Sequence, residues 1–133
     1  MRILVIEDSR LLRVAIERIL LRAGHFVTTV GDGLEGFRCA QEIHPDAILL
    51  DMMLPSLEGT SVLRQLKQDP FTNCIPVIVL SGLSRKNEKK LKLAGAAAYF
   101  EKSILNLDKD ENSLAQIVEE VVGGGGGRHS SLR

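Results

Sequence analysis

Three unbroken apolar runs, at residues 3–6, 47–50 and 77–80, set the rhythm of the chain. Each is too short for an ordinary helix. Such a run suits a strand buried on both faces, as in a parallel sheet, although a run alone does not exclude a helix. The middle run passes straight into Asp51 and then Met52-Met53-Leu54-Pro55. Proline cannot continue a central strand, so Asp51 falls at the strand's carboxyl edge, where open parallel sheets bind their ligands. Residues 25–30, β-branched and aromatic, predict one more strand, and residues 97–100 a short last one.

Between these runs the apolar period changes to that of helices. Leu12, Ala15, Ile16, Ile19 and Ala23 line one face, with Arg13, Glu17 and Arg18 between them; Asp8 or Ser9 supplies the cap and Gly24 the stop. Residues 34–43 predict a weaker helix, in which Gly36 costs about 0.5–1 kcal/mol relative to alanine. A third helix opens at Glu58-Gly59-Thr60, turns Val62, Leu63 and Leu66 inward and Arg64, Lys67 and Gln68 outward, and breaks at Asp69-Pro70. Residues 85–94 form a polar helix ended by Gly95. The last helix carries Leu114, Ile117, Val118, Val121 and Val122. Strands alternating with helices predict an α/β fold: βαβ units and a parallel sheet covered on both faces. The folded domain is read as residues 1–122. The glycine run and polar end at 123–133 have no core-forming capacity and read as a flexible tail or the start of a linker.

Composition narrows the function only modestly. The 133 residues are 44% hydrophobic and 26% charged, with 17 cations against 17 acids, so no global charge calls for nucleic acid or an anionic membrane. No apolar run approaches the roughly 20 residues that cross a bilayer, and the N-terminal run is too short for a signal peptide. Cys39 and Cys74 lack metal-like spacing and read as small buried thiols in a reducing cytoplasm. Residues 85–92 hold five cations and one acid, which reads as a solvated helix face.

The strand ends carry the chemistry. The first strand delivers Glu7 and Asp8, the third Asp51, the fourth Ser81 and the fifth Lys102. Singly, an acid here is an ordinary helix cap on an exposed turn. Together, they place three carboxylates, a hydroxyl and an ammonium at one sheet edge. One ammonium leaves that pocket net negative, so either the carboxylates retain protons or a divalent cation binds. An all-oxygen donor set without His or Cys suits Mg²⁺.

The motifs Ile-Glu-Asp-Ser at 6–9, Leu-Leu-Asp-Met-Met-Leu-Pro at 49–55, Gly59, Leu-Ser-Gly at 80–82, Ala-Gly-Ala at 94–96, and Tyr99 with Lys102 occur in an order that resembles the receiver domains of two-component response regulators. The match covers residues 1–122. The resemblance implies a flavodoxin-like, doubly wound (βα)5 fold with five parallel strands in the order 2-1-3-4-5. It implies that Asp51 accepts a phosphoryl group from a histidine kinase or phosphotransfer protein. Asp8, Asp51 and the Met53 backbone carbonyl would hold Mg²⁺, with Glu7 acting through a water. Lys102 would pair with the phosphoryl oxygens, Ser81 would move towards them, and Tyr99 would be the aromatic switch. It also implies a cytoplasmic signalling module that is not an enzyme. Its partners would be the phosphodonor and an output protein, with homodimerisation on phosphorylation allowed, and neither nucleic acid nor membrane is bound directly. The family's proline after the lysine is replaced by Ser103, the connection to the last helix is longer and acidic, and Met53 and Leu83 are apolar at positions that modulate phosphoryl lifetime in the family.

Two other functions share parts of this pattern. An FMN carrier has the same layers, but Glu7-Asp8 would repel the flavin phosphate. An aspartate-nucleophile, Mg²⁺-dependent phosphatase is closer, but it needs a second Asp two residues after the nucleophile, where Met53 stands.

Overall fold

The structure is a computed structural model that describes residues 1–52, 59–81, 88–101 and 111–130, with backbone alone at 88, 111–113 and 124–130. Its strands are β1 (Arg2–Ile6), β2 (Phe26–Val30), β3 (Ala47–Asp51), β4 (Val77–Ser81) and β5 (Ala98–Glu101). Its helices are α1 (Arg10–Arg22), α2 (Gly33–Ile43), α3 (Gly59–Gln68), α4 (Glu88–Leu93) and α5 (Glu111–Ser130). All strand pairs are parallel and the order is β2-β1-β3-β4-β5, as the resemblance implies.

Strand periodicity explains the two layers of core. Successive residues point to opposite faces, so Leu4, Ile6, Ile48, Leu50, Val77 and Val79 join one buried cluster, with Val62, Leu63 and Leu66 of α3. Ile3, Val5, Ala47, Leu49, Ile78 and Leu80 join the other, with Ile16, Ile19 and Leu20 of α1 and Leu114, Ala115 and Val118 of α5. The unbroken apolar runs are therefore the three central strands, covered on both faces. Edge strand β2 pairs with β1 alone; its side chains are mostly half-buried, and Phe26 at its start stands mostly exposed.

Several local expectations change. Ser9, not Asp8, caps α1: its Oγ accepts from the Leu12 N–H at 3.3 Å, which leaves the Asp8 carboxylate to another role. Lys67 does not point outward. Its stem folds back over the entry to β4, and Nζ donates to the Asn73 and Ile75 carbonyls at 3.2 and 2.8 Å. That partial burial pushes the ammonium's pKa down. Cys74 is exposed rather than buried, and Cys39 is half-buried; both are free. Burial, then Glu42 and Glu35, push the Cys39 thiol pKa up, away from thiolate reactivity. Helix α5 continues through 123–127 to Ser130, where composition predicts irregular chain. A helix already nucleated gains one hydrogen bond per added residue, which offsets part of the glycine cost. Among the described side chains its last core contacts are Val121 and Val122. His25, outside β2, accepts a second tether for α5: Nε2 lies 2.8 Å from Glu119 Oε2. No described helix is long and apolar enough to cross a membrane.

Gly36 is not merely a weak helix residue. It is buried where α2 crosses β1, and a Cβ there would lie 2.6 Å from Ile6 Cδ1 and 2.7 Å from Cγ1. Ile6 is itself fully buried, so it has nowhere to retreat. Gly36→Ala gains about 0.5–1 kcal/mol of helix propensity but incurs about 1–3 kcal/mol of overpacking. The expected result is a lower urea midpoint with unchanged slope, largely restored by adding Ile6→Val. A Gly36→Ala protein more stable than wild type would refute this packing account.

Candidate functional site

In the order β2-β1-β3 the chain reverses direction of growth at β1, which opens a crevice beyond the carboxyl ends of β1 and β3. The register pairs Ile6 with Leu50, so Glu7 and Asp8 on one strand end stand beside Asp51 on the other. One carboxylate oxygen from each of Glu7, Asp8 and Asp51 lies within 4.8 Å of the other two. Glu7 is completely buried and Asp51 is 1% exposed, whereas Asp8 is exposed, so the cluster opens to solvent on one side.

Backbone contacts fix these groups. The Glu7 N–H donates to the Val30 carbonyl at 3.0 Å, and the Ser9 N–H donates to Glu7 Oε2 at 3.1 Å. Past Asp51, the Met52 N–H donates to the Leu80 carbonyl at 3.1 Å, and the Gly59 N–H to the Met52 carbonyl at 3.1 Å. A side chain at Gly59 would collide with the Asp51 carbonyl and the Met52 backbone, so the start of α3 can lie directly under the acidic strand end.

Two carboxylates at about 4.8 Å repel by about 3.5 kcal/mol at an effective dielectric of 20. Buried carboxylates persist only with compensation. A hard divalent cation meets that need: the donors are all oxygen, and the exposed side leaves room for water and phosphate oxygens, the coordination Mg²⁺ prefers. The residues fit the ion.

Ser81 ends β4 and is 3% exposed. It sits one register position beyond Leu80, the partner of Asp51. Tyr99 pairs with Val79, two residues before Ser81, and packs half-buried against the cluster that holds Val79 and Leu91. Ser81 itself pairs with Glu101. Lys102 is the next residue but lies outside the described residues, as do Met53, Leu83, Ser103 and the 102–110 connection. The structure therefore brings together Glu7, Asp8 and Asp51, with Ser81 and Tyr99 on the neighbouring strands.

A family model for the response regulator receiver domain matches residues 3–117. The chain belongs to that family. The receiver domain is a phospho-accepting regulatory module of two-component systems, a phosphorylation-dependent switch that works with histidine kinases or phosphotransfer proteins. This receiver domain is 32% identical over 124 residues to Protein PilH of Pseudomonas aeruginosa, covering 92% of this chain and 98% of PilH. It is 35% identical over 122 residues to the gliding motility regulatory protein of Myxococcus xanthus, yet it spans only 15% of that relative's length. Among solved structures, the receiver domain of a Pseudomonas aeruginosa sensor histidine kinase, with a magnesium ion coordinated in its active site cleft, has a TM-score of 0.81 and 29% identity, covering 92% of this chain and 97% of that one.

Sequence reasoning missed one side chain at the receiver domain's acidic turn. Arg13 reads as a polar position of α1, but its guanidinium reaches back to the Glu7 and Asp8 carbonyls. Nothing in the spacing of charges signals a contact to backbone oxygens.

Proposed function

We propose that Asp51 is the phosphoacceptor. The observation that carries this reading is its burial at the end of β3 within 4.8 Å of two further carboxylates. In the transfer, the bond from phosphorus to the donor's imidazole nitrogen breaks as a bond to an Asp51 carboxylate oxygen forms. Phosphoryl transfer asks for alignment and charge stabilisation rather than covalent help from other residues. Asp8, Asp51 and the Met53 backbone carbonyl would hold Mg²⁺, with Glu7 supporting it through water. The bound ion supplies compensating charge to the donor's phosphoryl oxygens. Lys102 pairs with those oxygens after transfer, and the Ser81 hydroxyl donates to one of them.

The added phosphoryl changes local charge by about −1 to −2, enough to bias two arrangements a few kcal/mol apart. Ser81 and Tyr99 register the change: Ser81 moves towards the phosphoryl and Tyr99 follows it inward. The altered surface around β5 and its flanking helices then meets the output partner or a second copy. A histidine kinase or phosphotransfer protein in the cytoplasm is the donor. The switch is residues 1–122, and the glycine-rich segment that follows is a tail or the start of a linker rather than part of the core.

Acetyl phosphate with Mg²⁺ tests this directly. The phosphate adduct should appear in the intact mass and map to the peptide holding Asp51; an adduct elsewhere would refute the assignment. Sustained turnover of p-nitrophenyl phosphate would favour the phosphatase reading, which the absence of a carboxylate at Met53 opposes. Phosphoryl loss is slow because Met53 and Leu83 are both apolar and cannot orient an attacking water. Met53→Asn should therefore shorten the adduct's lifetime by roughly tenfold, less than the roughly hundredfold or more that a positioned general base contributes, because an amide orients water without taking its proton; an unchanged lifetime in the intact-mass time course would count against it.

A further inference from the structure

The acidic turn is held from behind by a side chain that none of these roles uses. Arg13 sits in the first turn of α1, half-buried. Its Nη1 donates to the Glu7 carbonyl at 3.0 Å and to the Asp8 carbonyl at 3.4 Å. Those residues own two of the three clustered carboxylates. The guanidinium also lies against Gly31, where a Cβ would sit 2.7 Å from Nη1 and 3.8 Å from the Glu7 carbonyl oxygen. The Glu7 peptide is thus gripped at both ends: its N–H by the Val30 carbonyl at 3.0 Å, its carbonyl by Arg13.

We propose that Arg13 is a positioning residue for divalent-cation binding, clamping the Glu7–Asp8 main chain so that both carboxylates converge on Asp51. The role rests on the Mg²⁺ reading above. Without a clamp, three like charges drive the turn apart in the cation-free state, and the cation must re-gather it. A charge-assisted bond to a carbonyl, stronger than a neutral one, offsets part of that repulsion. The positive charge of Arg13 also opposes a cation. Its bonds go to the main chain rather than to the carboxylates, so placement and charge act in opposite directions on cation binding, and the variants below separate them. Gly31 is the second half of the device, because its missing side chain gives the guanidinium its seat.

The test uses the whole chain as wild type, R13M, R13K and G31A. Mg²⁺ affinity is measured by calorimetry, and exchange of the Ser9 amide, which donates to Glu7 Oε2 at 3.1 Å, is followed in EDTA. R13M and G31A should each bind Mg²⁺ roughly tenfold more weakly, the scale of losing a ligand-orienting partner. G31A keeps the charge and displaces only its seat, so its loss separates placement from electrostatics; R13K should fall between. In both weak binders Ser9 exchange should accelerate while core amides such as that of Leu49 keep their protection. Unchanged or tighter Mg²⁺ binding in R13M, with wild type binding normally, would overturn the role of Arg13. A wild type that binds no Mg²⁺ would overturn the metal reading, and this role with it.

Discussion

Asp51→Asn should abolish phosphate incorporation from acetyl phosphate and Mg²⁺ while leaving the fold intact. The side chains are nearly isosteric, so the buried site keeps its packing, but an amide oxygen is not the carboxylate nucleophile that the transfer needs. The change also removes one of three clustered negative charges, two of them buried. In EDTA the variant should therefore melt at or above the wild-type temperature, the reverse of what a damaged core would give. Intact-mass spectrometry and thermal unfolding on the same samples check both halves. A variant that still gains the phosphate adduct would move the acceptor to another residue. A variant that loses the adduct because it is unfolded would not meet the stability half.

The second large effect concerns the cation. Mg²⁺ at a hundredfold over its Kd should stabilise the wild type by about 2.7 kcal/mol, the linkage expected for a ligand that binds only the folded chain. Asp8→Asn should lower Mg²⁺ affinity by roughly tenfold or more, since a charged ligand becomes neutral. Asp8 is exposed and does not cap α1, so the substitution should not disturb folding itself. The sign is diagnostic. Without Mg²⁺ the variant should equal or exceed the wild type, because a repulsion has been relieved; with Mg²⁺ the wild type should exceed the variant. Glu7→Gln should lose less affinity, as expected of a group acting through water. Equal Mg²⁺-induced shifts in melting temperature for wild type and Asp8→Asn would rule out the acidic cluster as the site.

Much of the architecture is legible in one dimension because strands covered on both faces leave a distinctive trace. Residues 3–6, 47–50 and 77–80 have nowhere polar to face, which suits strands buried on both faces, and the sheet places all three at its centre. The acids that end two of these runs are legible for a related reason: a charged residue can follow a buried strand only where the chain leaves the core. Edges are harder to read. The β-branched and aromatic run at 25–30 marks a strand, but composition does not say that the strand has a single neighbour or that Phe26 stands mostly exposed on it.

Long side chains and glycines are the least legible in one dimension. Lys67 looks solvent-facing by helical period, but the carbonyls it meets belong to a loop six and eight residues away. Gly36 looks like a simple weakness until Ile6 is found against it. Which of two capping candidates closes α1 also depends on where the strand end aims Asp8. Local pattern alone leaves Asp8 and Ser9 equivalent.

The sequence by itself determined the alternation of strands and helices, the carboxyl-edge position of Asp51, and the kind of donor atoms gathered there. Those follow from side-chain polarity and period, which are local properties. The tertiary structure alone decided that Glu7, Asp8 and Asp51 come within 4.8 Å, and that Arg13 and Gly31 brace the turn from behind. Such distances depend on strand order and register, and residues 44 positions apart meet only when two strands lie side by side.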